Sequence, residues 1–130
     1  MTVAKARQAL KRLLANGPLT GLPTRSSDLE LLLRLAASRF DAQRIYREAE
    51  VNDVLREWLK TFSAPFGIDH VTLRRCLVDS QYLERNRSGS TYRLHPDRSR
   101  ALPPAVEPAD VLAEITSERA ARKRLRASRS

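Results

Sequence analysis

The sequence predicts a mainly α-helical domain with a small β-hairpin, and three observations lead to this fold class. Apolar residues recur at helical spacing in three stretches between residues 27 and 79. The period then changes to that of short strands at residues 82–85 and 91–94. The joint between them, NRSGS, carries Gly89 where a hairpin most needs a positive φ. A helix that feeds directly into a basic-tipped hairpin is how a winged helix-turn-helix ends.

The first element is a basic amphipathic helix over residues 3–15. Its apolar residues share one face, and they are Val3, Ala6, Leu10, Leu13 and Leu14. The helix ends at Asn16-Gly17-Pro18, because glycine suits the position after a helix and proline cannot continue one. Two roles stay open: docking on the main domain or on a second subunit, and binding phosphates through the basic face.

The second helix is predicted over residues 28–39, where Ser27 and Glu30 match a capping box. One face is apolar and comprises Leu29, Leu32, Leu33, Ala36 and Phe40. Beyond it, Ile45-Tyr46 is a short apolar pair between charged stretches. In a winged helix, this is the position of the small strand that completes the sheet.

The third helix is predicted over residues 48–61, which show the best helical periodicity in the chain. Its stripe consists of Val51, Val54, Leu55, Trp58, Leu59 and Phe62. Trp58 lies in the middle of this stripe, which predicts a core position and not a ligand platform. Residues 63–67, SAPFG, end the helix and make the turn to the next one.

The fourth helix starts at Asp69, whose carboxylate can accept the unpaired amide hydrogens of the first turn. A broad apolar arc follows, made of Val71, Leu73, Cys76, Leu77 and Val78. Thr72, Arg75 and Asp79 fall on the opposite side, which predicts an exposed polar strip. Together with the hairpin, this helix is the part of the chain that the other predictions depend on.

After residue 95 the composition shifts to proline and polar residues, which predicts an extended linker. Residues 108–126 then look helical, with a short apolar patch of Val111, Leu112 and Ile115. The arginine-rich end is either a solvated, partly frayed tail or a nucleic-acid-contacting one. We therefore divide the chain into four parts, namely 1–26, a winged-helix-like domain at 27–95, a linker at 96–108 and a basic helix or tail at 109–130.

The formal charge of +9 indicates an anionic partner, with nucleic acid as the leading candidate. This charge is uneven, because residues 1–26 carry +5, residues 27–95 only +1, and residues 96–130 +3. The central domain is therefore almost neutral. Electrostatic binding of phosphates must therefore come from one face of this domain or from the terminal segments.

Several classes of protein are disfavoured. The longest apolar run is broken by Glu30 and Arg34, so no membrane span is expected, and the basic start does not resemble a secretory signal. A single cysteine fits a reducing cytoplasm. Cys76 lies on an apolar arc, and no cluster has metal-ligand or cofactor-binding spacing. We expect no enzyme, no metal and no cofactor.

For nucleic acid, the candidate residues lie on the fourth helix and the hairpin: His70, Thr72, Arg74, Arg75, Arg85, Arg87, Ser88 and Ser90. The N-terminal end of such a helix enters a major groove, where arginine pairs with guanine and threonine contacts a base edge or a thymine methyl. The hairpin residues would contact the phosphate backbone. Two alternatives stay open: Arg75 pairs with Asp79, and Arg74 is a structural arginine paired with Glu48, Glu50 or Asp53.

Residues 27–95 resemble a bacterial family known as domain of unknown function 2087. The matching stretches are YREAEVN at 46–52, LRRCLVD at 73–79, YLER at 82–85 and GSTY at 89–92. Members look like small winged-helix domains, some of them behind a helix-turn-helix module of a transcriptional regulator. The resemblance implies a regulatory or DNA-associated role without an assigned activity.

One departure from the family pattern is Arg47, where members tend to have serine or threonine. Arginine cannot accept amide hydrogens, so Glu50 is expected to lose its capping-box partner, with a shifted or weaker helix start. The sequence thus predicts a cytoplasmic, DNA-binding winged-helix transcriptional regulator, with double-stranded DNA as partner. The alternatives are a module that forms a homodimer or docks on a regulatory protein, and RNA binding through the basic tail.

Overall fold

The computed structural model describes residues 2–99 and 106–129. The helices are α1 (Val3–Leu13), α2 (Ser26–Ala37), α3 (Glu48–Leu59), α4 (His70–Asp79), α5 (Pro96–Ser99) and α6 (Pro108–Arg129). The strands are β1 (Tyr46–Arg47), β2 (Leu83–Arg85) and β3 (Thr91–Leu94). This is a mainly helical fold with a small β-sheet and additional terminal helices, as the sequence predicts, and it is consistent with a winged-helix-like domain. Residues 100–105, the middle of the predicted linker, lie outside the described residues.

The three strands form an antiparallel sheet in the order β1-β3-β2. β1 overlaps the short strand predicted at Ile45-Tyr46 but is shifted by one residue, and it pairs Tyr46 with Tyr92 of β3. β2 and β3 form the predicted hairpin, with Leu83 opposite Leu94 and Arg85 opposite Tyr92. Gly89 has a φ of 73° in the turn, so the prediction of a positive φ there is confirmed.

The core is centred on α2, which lies between α1 on one side and α4 on the other. Leu31 and Leu35 are buried, although neither belongs to the predicted apolar face. They are buried because α2 is covered on more than one side, as expected for a helix that is apolar around most of its circumference. On α3, Trp58 is 4% exposed and packs edge to face on Phe62, so the predicted core position is confirmed.

The predicted start of α2 is wrong. Arg25 is the N-cap residue and makes no side-chain cap, and Ser27 lies inside the helix. Glu30 does not complete a capping box, because its carboxylate accepts hydrogen bonds from the Tyr82 hydroxyl and from Arg34. These bonds connect α2 to the residue that precedes β2, an interaction that local sequence patterns cannot reveal.

The start of α3 is not shifted, although Arg47 is its N-cap residue. Glu50 still accepts the backbone N–H of Arg47 at 3.0 Å, which is the half of a capping box that needs no serine or threonine. The Arg47 side chain compensates in part by donating to the same carboxylate. These hydrogen bonds lower the pKa of Glu50, with the backbone bond as the largest cause.

The C-terminal segment departs from prediction in two places. Residues 96–99 form the short helix α5 inside the predicted extended linker. α6 continues to Arg129 and is not frayed after residue 126. Its apolar patch is used as expected, since Val111 and Ile115 are buried against the core. Within the described residues, every helix is too short or too polar to cross a lipid bilayer.

Candidate nucleic-acid interface

The predicted strip of α4 is open to solvent. Asp69 caps the helix by accepting the Thr72 N–H at 3.2 Å, and Thr72, Arg75 and Asp79 are all exposed. The opposite face buries Leu73 and Leu77 against the core. α4 packs mainly on α3, α2 and β2. The terminal helices α1 and α6 pack on each other instead, so the strip stays accessible.

Arg74 belongs to the inner face of α4. It is 9% exposed, forms an ion pair with Glu48 at 3.1 Å and donates to Asn52 Oδ1 at 2.5 Å. Its guanidinium carbon also lies 5.9 Å from the centre of the Tyr92 ring. Of the two roles left open by the sequence, this geometry is that of the structural arginine, with Glu48 as its partner. We therefore leave Arg74 out of the candidate interface.

On α4 and the hairpin, three other arginines have guanidinium groups that lack any hydrogen bond or ion pair within the described residues: Arg75, Arg85 and Arg87. Arg75 and Arg85 line one small cleft between α4 and the hairpin, together with Asp79. The anticipated pair of Arg75 with Asp79 is not formed. These three unpaired cations, one on the helix and two on the hairpin, form what we call the cationic strip.

The hairpin tip is ordered by Asn86. Its side-chain oxygen accepts the backbone N–H groups of Ser90 and Thr91 at 2.9 and 3.1 Å, and its amide donates to Ser90 Oγ at 3.0 Å. Ser88 and Ser90 hydroxyls lie 2.8 Å apart and bond to each other. The Arg85 guanidinium packs over Gly89, where a Cβ would come within 3.2 Å of it. The tip is thus a defined turn that presents Arg87 to solvent.

His70 and Thr72 occupy the N-terminal end of α4, but both have internal contacts. The Thr72 hydroxyl donates to Asp69 at 3.0 Å, and His70 Nδ1 lies 3.8 Å from the same carboxylate. The Thr72 bonds are the largest cause of the lowered pKa of Asp69. Asp69 and Asp79 also place negative charge at the two ends of the exposed face of α4, and Asp79 lines the same cleft as Arg75 and Arg85.

The terminal helices provide a second concentration of positive charge. Arg7 and Lys11 of α1 pair with Glu114 and Glu118 of α6, which neutralises part of the basic face of α1. The pairing order shows that α6 runs parallel to α1. Since Arg119 donates to the carbonyl of Ala15, after the end of α1, the rest of α6 extends beyond it. This extension, residues 120–129, carries five Lys/Arg and no acid.

Sequence reasoning missed one residue of this site and two beside it. Asn86 orders the hairpin tip through turn geometry, and Asn52 binds Arg74, which is distant from it in sequence. Phe66 lies in the turn before α4 with a φ of 60° and a fully exposed side chain. The signal for Asn86 was available, because asparagine at the start of a turn commonly bonds the backbone that follows.

Cys76 is half-buried on α4, and burial followed by the charge of Asp79 raises the pKa of its thiol. A raised pKa disfavours the thiolate, which is the nucleophilic form. Within residues 2–99 and 106–129, no three His, Cys, Asp or Glu side chains come close enough to hold a metal ion.

Comparison with known proteins gives one match. Residues 18–94 match the model of a family described as an uncharacterized protein conserved in bacteria, domain of unknown function 2087. The match covers β1, α3, α4 and the hairpin, and it begins ahead of α2. Neither the curated proteins nor the solved structures contain a match to the chain.

Proposed function

The chain belongs to the bacterial family of domain of unknown function 2087, and we propose that it binds double-stranded DNA as a winged-helix regulator. The observation that carries the proposal is the cationic strip beside an exposed α4. Arg75 faces solvent from the helix, Arg85 lies across a cleft from it, and Arg87 is at the hairpin tip. None of the three guanidinium groups is neutralised within the described residues.

This arrangement matches how helix and hairpin divide the work on a duplex. A helix in the major groove reads base edges, and exposed arginines at the hairpin contact phosphates. Arg75 can make the bidentate bond to guanine that is the commonest specific contact. We therefore assign base readout to Arg75 and phosphate binding to Arg85 and Arg87.

The extension of α6 supplies what the nearly neutral central domain lacks. Its five cations follow one another on about 15 Å of helix with no acid between them. Such an array attracts any polyanion and does not distinguish base sequences. In the proposed function it strengthens binding to every duplex, while α4 sets the sequence preference.

Docking on another protein through the terminal helices is the alternative from the sequence. It was motivated by two amphipathic helices on either side of a neutral domain. In the structure the apolar faces of α1 and α6 pack on each other and on the core. This leaves the alternative with less support than DNA binding.

The direct test is fluorescence anisotropy with a pool of random duplexes, followed by selection of the tightest sequence. We expect binding at low salt and a steep loss of affinity as salt rises, with a slope of about −2 for the two phosphates at Arg85 and Arg87 and a steeper one if the extension of α6 also binds phosphates. A variant with Arg75, Arg85 and Arg87 all changed to alanine should lose most sequence preference. Arg93→Ala is the matched control, because Arg93 lies on the same hairpin but is paired with Glu84.

Two results would count against the proposal. Absence of duplex binding by the full chain at low salt removes it. Binding that depends only on residues 120–129, with no effect of the triple variant, reduces the molecule to a nonspecific basic helix. Equal affinity for single-stranded RNA would favour the RNA-binding alternative.

A further inference from the structure

Phe66 adopts a conformation that its side chain does not favour. Its φ is 60°, in the left-handed region, and its side chain is 108% exposed. Glycine occupies this region without penalty, whereas a bulky residue there is uncommon. An aromatic ring also gains nothing from folding when it stays entirely in water. Backbone strain of this kind concentrates at functional sites, which makes Phe66 a candidate for one.

Hydrogen bonds and close packing fix the backbone of the turn that carries Phe66. Ala64 donates to the carbonyl of Leu19 at 2.8 Å, and Ile68 donates to Ser63 Oγ at 3.2 Å. Gly67 is packed so closely that a Cβ would lie 2.7 Å from the Leu19 carbonyl oxygen. The turn therefore cannot relax easily toward a conformation that folds the ring of Phe66 inward.

The ring of Phe66 lies near the N-terminal end of α4. Phe66 precedes the Asp69 cap by three residues, and the N-terminal end of a recognition helix is the end that enters the major groove. Beside the ring lies an open groove of about 720 Å³ with an apolar floor that includes Leu59, Pro65 and Ile68. Arg56, Lys60, Asp69 and His70 also line it, and since Asp53 and Glu57 pair with Arg56 and Lys60, the groove offers apolar contact surface and not free positive charge.

We propose that Phe66 contacts the C5 methyl group of a thymine at the edge of the bound duplex. The proposal rests on the proposed DNA-binding function and adds a second specificity residue to Arg75. Thymine is the base that presents a methyl group in the major groove, and an aromatic side chain is a suitable apolar partner for it. The strained turn holds the ring ready, because Phe66 does not have to leave the protein core to reach the base.

Replacing thymine by deoxyuridine tests this contact, because the exchange removes the methyl group and changes no hydrogen bond. In the selected duplex, each thymine is replaced in turn. For the wild type we expect about a fourfold loss of affinity at one position, the value of one buried methyl group. Phe66→Ala should show the same loss on the thymine duplex and no further loss on the deoxyuridine duplex.

Val3→Ala is the matched control, since Val3 is an exposed apolar residue on α1, away from the turn. It should keep the full sensitivity to deoxyuridine. Phe66→Gly adds an independent readout. Glycine relieves the backbone strain, so its midpoint temperature should rise by about 2–5 °C, while the sensitivity to deoxyuridine is lost.

The proposal is overturned if wild type and Phe66→Ala respond alike to every thymine replacement. It is also overturned if Phe66→Gly is less stable than the wild type, because the ring is then a structural element. These outcomes are separate from failure of the proposed function, which shows as absence of duplex binding by the wild type. A Phe66→Ala variant with unchanged DNA binding would point to a protein partner at this groove.

Discussion

Arg74 and Arg75 are adjacent in sequence and lie about 100° apart around α4, yet their environments are opposite. Arg74 is buried between α3 and the sheet, where Glu48 and Asn52 bind its guanidinium group. Arg75 is exposed, and its guanidinium group has no partner within the described residues. One side chain holds two helices together, and the other is available to a ligand.

This contrast shows that the role of an arginine on a helix is not fixed by its position in the sequence. What decides its role is whether nearby acceptors compete for it. The inner face of α4 meets the N-terminal turn of α3, which carries Glu48 and Asn52. The outer face meets solvent and the hairpin, where Arg85 is another cation, and the Asp79 carboxylate in the same cleft does not pair with Arg75. The predictions below test this division from the largest effect to the smallest.

The largest effect is expected for Arg74→Met. This variant leaves Asn52 and Glu48 without their cation, so the free energy of unfolding should fall by about 2 kcal/mol. Arg75→Met is the matched control and should change it by less than about 0.5 kcal/mol. Urea denaturation measures both. Equal losses would mean that the two arginines do not differ as the structure indicates.

Arg75→Ala should leave the free energy of unfolding unchanged and should affect DNA binding instead. If Arg75 makes a bidentate contact with guanine, its loss should lower the preference for the selected duplex over a scrambled one by about tenfold. Competition binding measures this ratio. A fall in affinity that is the same for both duplexes would instead assign Arg75 to the phosphate backbone.

Asp69→Ala should lower the free energy of unfolding by about 1 kcal/mol, because the Asp69 carboxylate caps α4. Asp69→Asn keeps an acceptor and should cost less. The Thr72 bonds lower the pKa of Asp69 below its usual value of 3.8. Its contribution is therefore complete above that value and is lost as the pH falls through the lowered pKa. Denaturation as a function of pH should show the wild type losing its advantage over Asp69→Asn in acid.

Arg87→Ala should give the smallest effect. A single phosphate contact at the hairpin tip affects all duplexes alike, so selectivity should stay constant while the salt dependence becomes shallower by about one unit of slope. A series of affinities between low and moderate salt measures this. A change in selectivity would show that the tip reads bases and would move it to the same class as Arg75.

Much of the fold follows from local patterns. The apolar stripe of α3, the Asp69 cap and the Gly89 turn each predict their element, because period, capping group and backbone freedom are local properties. The prediction of where α2 starts is wrong, because it depends on a residue that is distant in the chain. Ser27 and Glu30 satisfy a local motif, but Tyr82, which lies distant in the chain, competes for the Glu30 carboxylate.

The features of the candidate site also divide into those that local sequence predicts and those that only the structure shows. That Thr72, Arg75 and Asp79 share an exposed strip follows from helical spacing alone. That Arg75 is unpaired does not, because an i, i+4 partner was available in Asp79. The identity of the Arg74 partner also required coordinates, since Glu48, Glu50 and Asp53 are all on the same helix.

Amino-acid order alone was enough to predict helices α1 to α4, the two strands of the hairpin and the exposed polar strip of α4. These features depend on side-chain spacing and on the backbone freedom of single residues, which are written in short stretches of chain. Tertiary packing was needed to assign each charge, because an ion pair forms wherever an acceptor comes within reach. It also produced the outward Phe66, since the Leu19 backbone behind that turn constrains how the turn can fold.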